Sequence, residues 1–360
     1  MRTEHILIIR FSALGDIAMT VPVVYSLTRH YPDLRITVLS REFARPLFED
    51  LGPNVGFMGA DVKNEYQGIK GLNALYRRLA AKNFTAIADL HNVLRSEYLR
   101  VRFNLGRYKV AHIDKHRSGR RALVRAGRKV LVQQPTAFQN YAEVFAKLGY
   151  PVTLDFHSIF PASGGDLSLL PQAIGEKKEG EKWIGIAPFA AHERKIYPRR
   201  LMEEVLRQIK QQYPQCRLFF FGGGKKELET FTGWAEKYSD SCNASQLLGG
   251  IKEELILMSH LDAMLSMDSG NMHLASLTGI PVVSIWGATH PFAGFMGWGQ
   301  SKDDAIQLEL SCRPCSIFGN KPCLRGDLAC LKNIPPELVV KQIKLAMNRR
   351  ELLQKRKGNH

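Results

Sequence analysis

No run of about 18 apolar residues occurs in the 360-residue sequence, so no helix is expected to span a bilayer. Arg10 and Asp16 interrupt the early apolar stretch and no small-residue cleavage site follows, so a signal peptide is not expected either. The first apolar run is not followed by G-x-G-x-x-G. Its successor "FSALGDIA" holds one glycine, which weighs against a dinucleotide oxidoreductase. Acids are scarce where bases are dense. Residues 95–129 carry twelve Arg/Lys against Glu97 and Asp114, and residues 341–357 carry seven against Glu351. These two segments account for the whole formal charge of +16. Charge gathered in two patches points to an anionic partner: a phosphorylated glycan, an acidic membrane surface or nucleic acid. The basic runs lack interleaved aromatics and any compact nucleic-acid motif, which weighs against a non-catalytic nucleic-acid-binding protein.

What is present reads as two folded domains, each long enough to bury a core. "HILIIR", "RITVLS", "VGFMGA", "FTAIADL" and "YKVAHI" read as strands with helical patterns between them, and "TAFQNYAEVFAKLG" as a closing helix. Residues 161–182 are polar and linker-like. The alternation restarts with "WIGIAP", a helix near 198–213, "CRLFFFG", a helix from 225, "SQLLGG", a short helix, "LDAMLSM", a helix from 269 and "PVVSIWG". This predicts an α/β chain of two doubly wound halves facing across a cleft: 1–160, a linker 161–182, a second half 183–334, and a basic helix and tail 335–360. Cys312, Cys315, Cys323 and Cys330 form C-x2-C-x7-C-x6-C. A leading C-x2-C suits zinc, but the later spacings match no familiar knuckle, and reduced structural cysteines are the alternative.

The sharpest polar cluster is "DSGNMHLASLTGIPVVSIWGAT". Asp268 follows a strand and opens a helix, Ser269 and Gly270 lie in its first turn, and His273 sits one turn on. Singly, these residues read as a helix cap and a core histidine. Free backbone N–H groups at such a turn also attract anions, with Asp268 better placed to accept hydrogen bonds than to touch phosphate. The run resembles the C-terminal signature of glycosyltransferase family 9, the ADP-heptose:lipopolysaccharide heptosyltransferases, D-[ST]-G-x-x-H-[LI]-A-x-x-x-G-x-P-x-[IV]-x-[IVL]-[FWY]-G-x-T, without a gap. "ILIIRFSALGDIAMTVPVVYSL", "IADLHNVLRSEYL" and "CRPCSIFGNKPCLRGDLACLKNIPPELV" are similar to further family segments, and the last makes the cysteines a family feature.

The resemblance implies a GT-B architecture of two Rossmann-like domains, and a transfer of heptose from ADP-heptose, with inversion, onto a lipid-linked, anionic lipopolysaccharide inner core. It implies Asp16 as the catalytic base, although a helix cap is the alternative reading of that residue. It implies Lys195 on the donor diphosphate, Glu227 on the nucleotide, and Asp268, Ser269, Gly270 and His273 beside the diphosphate and sugar. Arg95 matches a basic acceptor-side residue. Arg117, Arg120 and Arg121, with Arg100 and Arg102, suit acidic acceptor groups. No cofactor and no metal are expected, since D-x-D, the metal-nucleotide motif of the other main glycosyltransferase architecture, is absent. Ala190 and Ala191 stand where hydroxyl residues are usual in the family, which leaves open a different nucleotide-sugar donor. A cytoplasmic enzyme is expected, with peripheral contact at the inner membrane through the basic C-terminal helix and without nucleic acid as a partner.

Overall fold

The computed structural model describes residues 4–358 of the chain, with side chains as far as Leu352. Positions 1–3 of the first expected segment and 359–360 of the expected tail lie outside the described residues. The chain forms two compact units. One runs to Lys115 and includes Pro135–Ile159; the other comprises His116–Gln134 and the chain from Phe160 onward.

The first unit is a five-stranded parallel sheet of order β3-β2-β1-β4-β5. In chain order its elements are β1 (His5–Ile9), α1 (Leu14–Ala18), α2 (Val21–His30), β2 (Arg35–Ser40), β3 (Val55–Gly59), α3 (Gly68–Ala80), β4 (Ala86–Asp89), α4 (Leu94–Leu105) and β5 (Lys109–His112). After α5 (Arg117–Leu123), which belongs to the other unit, α6 (Ala137–Lys147) completes it. β1 is buried at every position because helices cover both faces of the sheet, so after His5 its sequence is a continuous apolar run rather than an alternating one. α6 starts where Thr136 accepts the Gln139 N–H at 3.2 Å and Gln139 Oε1 accepts the Thr136 N–H at 2.8 Å.

The second unit is a six-stranded parallel sheet of order β11-β10-β9-β6-β7-β8. Its elements are β6 (Trp183–Ala187), α7 (Arg199–Gln212), β7 (Arg217–Phe220), α8 (Lys225–Lys237), β8 (Ser241–Asn243), α9 (Ala244–Leu247), α10 (Ile251–Ser259), β9 (Ala263–Met267), α11 (Gly270–Ser276), β10 (Val282–Ile285), β11 (Ala305–Ile306), α12 (Ala329–Lys332) and α13 (Pro336–Gly358). Its core is rich in aromatics, with Phe220, Phe231 and Trp234 in mutual contact.

Both doubly wound halves expected from the sequence are present. Three local expectations are corrected. "SQLLGG" is a helical turn and a loop, and the strand of that slot is Ser241–Asn243 just before it. Residues 161–182 are no free linker: Ile174 is buried, Lys177 pairs with Asp262 at 2.7 Å, and Arg217 donates to the Ile174 carbonyl at 2.5 Å. Residues 116–134 pack on the second unit and not on the first. Arg120 donates to the Ala293 carbonyl at 3.2 Å and its guanidinium lies 4.3 Å from the Phe295 ring centre, while the Gln134 N–H donates to the Phe292 carbonyl at 2.8 Å.

Candidate active site

In each sheet the first strand sends its crossover to one side and the fourth lies on the other, so the loops leaving their carboxyl ends part and leave a crevice. In the first unit those loops follow β1 and β4; in the second they follow β6 and β9. Asp16, Lys195, Asp268 and Ser269 all lie at or just beyond these loops.

Beyond β1, Asp16 is in the first turn of α1 and is not its cap, which is Ala13. One carboxylate oxygen accepts the Ala13 N–H at 3.2 Å and meets the Arg10 guanidinium at 2.8 Å. Arg10 is buried and donates to the Leu90 carbonyl at 2.6 Å, tying the two diverging loops together. Burial opposes its charge, but the Tyr141 phenol and the carboxylates of Asp16 and Asp89 outweigh that cost, and its pKa rises. Tyr141 also donates to the Asp16 carbonyl at 3.3 Å. After β4, the fully buried Asp89 accepts the N–H groups of His91 and Asn92 at 2.9 and 2.8 Å. This turn brings the His91 ring to the Phe11 N–H, 3.4 Å away, and to Ser12 Oγ at 3.3 Å. Burial and, next, the Arg10 charge lower the His91 pKa to about 3, so its ring is neutral at ordinary pH.

Arg95 stands exposed in the first turn of α4. Arg100 does not face solvent as an acceptor ligand: it reaches Asp89 and Glu97 at 3.4 Å and Asn92 at 3.2 Å. Arg102 lies over the Tyr76 ring. Arg117 and Arg121 are exposed, but they and Arg120 sit on the second unit, because the segment that carries them is held there. An open recess of about 560 Å³ lies at the carboxyl end of β5, lined by Asn92, His112, Asp114 and Lys147 among others.

In the second unit Lys195 closes a single 3-10 turn, Glu193–Lys195, in the loop after β6. Its Nζ lies 3.0 Å from Asp268 Oδ2, the same oxygen that accepts the buried Thr289 hydroxyl at 2.8 Å. Asp268 is therefore no helix cap. Ser269 is the residue before α11, with its Oγ 3.2 Å from Ser266 Oγ, and Gly270 is the first helical residue. His273 is buried one turn further on. Glu227 stands apart from this group: its half-buried carboxylate accepts the Gly223 N–H at 2.8 Å, and burial raises its pKa despite that bond.

The cysteine-rich segment braces this cluster. Arg313, between Cys312 and Cys315, is buried and donates to the carbonyls of Gly287 (2.5 Å), Trp286 (3.1 Å), Thr289 (2.8 Å) and Leu308. The Cys315 N–H donates to the Ala288 carbonyl at 3.0 Å, and the Ala288 N–H to the Arg194 carbonyl at 3.2 Å. Gly287 permits the last contact, since a Cβ there would come within 2.7 Å of the Arg194 oxygen. Gly319, at φ +78°, lies against the Lys195 stem, where a Cβ would come within 2.6 Å of Cγ and Cδ. All six cysteines are reduced, and among the described residues no group of three or more His, Cys, Asp or Glu side chains is arranged to hold a metal ion.

Sequence reasoning missed Arg10, Tyr141, His91, Thr289 and Arg313. Arg10 did carry a signal, a charge placed directly against four consecutive apolar residues, 6–9, which demands a partner. Thr289 closes the quoted signature. Arg313 was hidden behind the cysteines beside it.

The model of glycosyltransferase family 9 (heptosyltransferase) matches residues 72–321. The chain is 24% identical over 294 residues to the lipopolysaccharide core heptosyltransferase OpsX of Haemophilus influenzae, covering 80% of each chain. It is 22% identical over 344 residues to lipooligosaccharide heptosyltransferase 2 of Campylobacter jejuni, covering 92% of this chain and 94% of that one. Among solved structures it superposes on the E. coli heptosyltransferase WaaC with ADP at a TM-score of 0.67 and 18% identity, over 95% of this chain and 99% of that one. The likeness shows a shared GT-B fold of two Rossmann-like domains. Lys195, Glu227 and the Asp268–His273 run fall inside the family match, whereas Asp16 precedes it.

Proposed function

Because the chain belongs to glycosyltransferase family 9, and is thus a glycosyltransferase, we propose that it transfers heptose from ADP-heptose, with inversion, to the inner core of a lipid-linked, anionic lipopolysaccharide acceptor. The observation that carries this reading is the Lys195–Asp268–Thr289 cluster at the carboxyl ends of β6 and β9. Asp268 holds the Lys195 ammonium on one side, and its remaining donors suit a diphosphate. Ser269 and Gly270 would border that diphosphate, His273 the sugar and Glu227 the nucleotide.

In the transfer the acceptor hydroxyl oxygen bonds to the anomeric carbon and the bond from that carbon to the diphosphate oxygen breaks. The hydroxyl proton passes to the Asp16 carboxylate. The leaving diphosphate needs charge stabilisation more than a proton, and Lys195 supplies it. One displacement inverts the anomeric centre. Arg10 fixes the carboxylate, and neutral His91 adds no competing cation beside it. Arg95, Arg117 and Arg121 suit the acceptor's acidic groups, whereas Arg120 is already engaged with Ala293 and Phe295. On this reading the enzyme works at the cytoplasmic face of the inner membrane without cofactor or metal. No helix among the described residues is long and apolar enough to cross a membrane.

A second donor remains a specific alternative, because Ala190 packs against the second core and Ala191 is exposed, and neither offers a hydroxyl. Calorimetric titration against ADP, UDP, GDP and CMP, with and without magnesium, separates the two. Preference for ADP without metal supports ADP-heptose, and preference for another nucleotide discards it. The anomeric configuration of the product, read by NMR, tests inversion.

A further inference from the structure

We propose that the segment Arg125–Val132 is a membrane-docking element, in which exposed Arg125 and Arg128 meet anionic lipid headgroups and Val130, Leu131 and Val132 enter the boundary with the acyl chains. Within the reading above, this rests only on the acceptor being lipid-linked.

Residues 115–134 contain seven Arg/Lys, no Asp or Glu, and no Phe, Trp or Tyr. Val130, Leu131 and Val132 are consecutive and 52%, 52% and 57% exposed. A strand would bury alternate members of such a triplet. Here the Val132 N–H donates to the Val130 carbonyl at 3.0 Å, and at this tight turn all three residues stay about half exposed. Three adjacent branched aliphatics beside exposed arginines combine apolar area with positive charge, the combination that binds an anionic bilayer interface.

The element is held in place. The Lys129 ammonium donates to the Ser311 carbonyl at 2.7 Å and the Val130 N–H to the Ala122 carbonyl at 3.1 Å. Leu123 is fully buried beneath it. A surface already ordered loses little entropy on docking. Without aromatics the segment offers single-stranded nucleic acid no stacking platform. The basic C-terminal helix is the rival element; its Lys341 and Lys344 are exposed, but two of its arginines are engaged internally. Arg349 pairs with Asp304, and Arg350 is bonded to the Leu261 and Ser259 carbonyls.

The test is flotation of the full chain with vesicles of pure phosphatidylcholine and with vesicles that also contain phosphatidylglycerol. The wild type is expected to float with the anionic vesicles only. The triple variant Val130→Ser, Leu131→Ser, Val132→Ser should weaken partitioning by at least about tenfold. The double variant Arg125→Gln, Arg128→Gln should weaken it by about tenfold to thirtyfold and flatten its salt dependence. Both variants should melt as the wild type does and bind ADP unchanged, so failure of the donor reading would show as lost ADP binding in every protein alike. Absence of flotation by the wild type, or flotation unaffected by both variants, overturns the proposal. So does binding that needs the arginines but not the aliphatics and is competed by single-stranded DNA.

Discussion

Replacing Asp16 tests the proposed chemistry, and the structure dictates which replacement to use. Asp16→Ala removes the base but also strips the buried Arg10 of its ion-pair partner, since the guanidinium is 2.8 Å from the carboxylate and its side chain is 8% exposed. Breaking a buried pair from one side costs about 3–5 kcal/mol. The Asp16 side chain is one-third exposed, so water replaces part of that loss and about 2–3 kcal/mol is the fair figure. In a domain of this size that is a fall of roughly 5–10 °C in melting temperature. Asp16→Asn keeps an amide oxygen for the Arg10 and Ala13 donors while abolishing basicity. Its melting temperature should stay within about 3 °C of wild type, and kcat should fall by about 10²–10⁴. ADP binding should not change in either variant, because Lys195, Asp268 and Thr289 lie in the other unit. Calorimetry, thermal melting and turnover on one preparation decide the matter. An Asp16→Asn enzyme with kcat within about fivefold of wild type refutes the base assignment.

Three further outcomes are expected. Lys195→Met should weaken ADP binding by about 10–100-fold, since the diphosphate loses its point charge and Asp268 loses its counter-ion, and titration calorimetry would show it. Arg313→Met leaves four backbone carbonyls without their donor and should destabilise the second unit by about 3–5 kcal/mol, read by denaturant unfolding; a loss under about 1 kcal/mol would mean that the brace is dispensable. Burial depresses His91 to about 3 and His290 to about 4, so between those values and about 6.5 the unfolded chain binds more protons than the folded one. Stability should therefore fall as pH drops from 7 to 4.5, and His91→Gln should flatten part of that slope in a melting series; an unchanged slope would contradict the burial argument.

Most strands of both sheets were legible because helices cover both faces of a parallel sheet, and residues 6–9, 183–187 and 263–265 carry that burial as apolar runs. The turn bearing Asp268 was legible for a related reason, as polar residues at the carboxyl end of such a run, whereas Lys195 was legible only through the resemblance of its loop to the family's. What stayed hidden depends on contacts distant in sequence. Nothing near Arg120 announces that its guanidinium will settle on Phe295, and nothing near Arg350 announces the carbonyls of Leu261 and Ser259. Arg120 reads as an acceptor ligand and Arg350 as part of a membrane-facing helix because both stand in basic stretches. "SQLLGG" was set in a strand's place because the alternation demanded a strand there, whereas three residues, Ser241–Asn243, suffice for an edge.

The crossing of residues 116–134 onto the second unit has a practical consequence for dissecting this enzyme. Neither unit is one continuous stretch of coding sequence. A fragment begun at Phe160 would uncover Phe295 and leave the carbonyls of Phe292 and Ala293 without the donors that Gln134 and Arg120 provide. A chimera that exchanges the amino-terminal halves of two relatives at that point would pair one enzyme's strap with the other's seat. A workable exchange must move His116–Gln134 together with the second unit, even though the chain lays that segment down in the middle of the first.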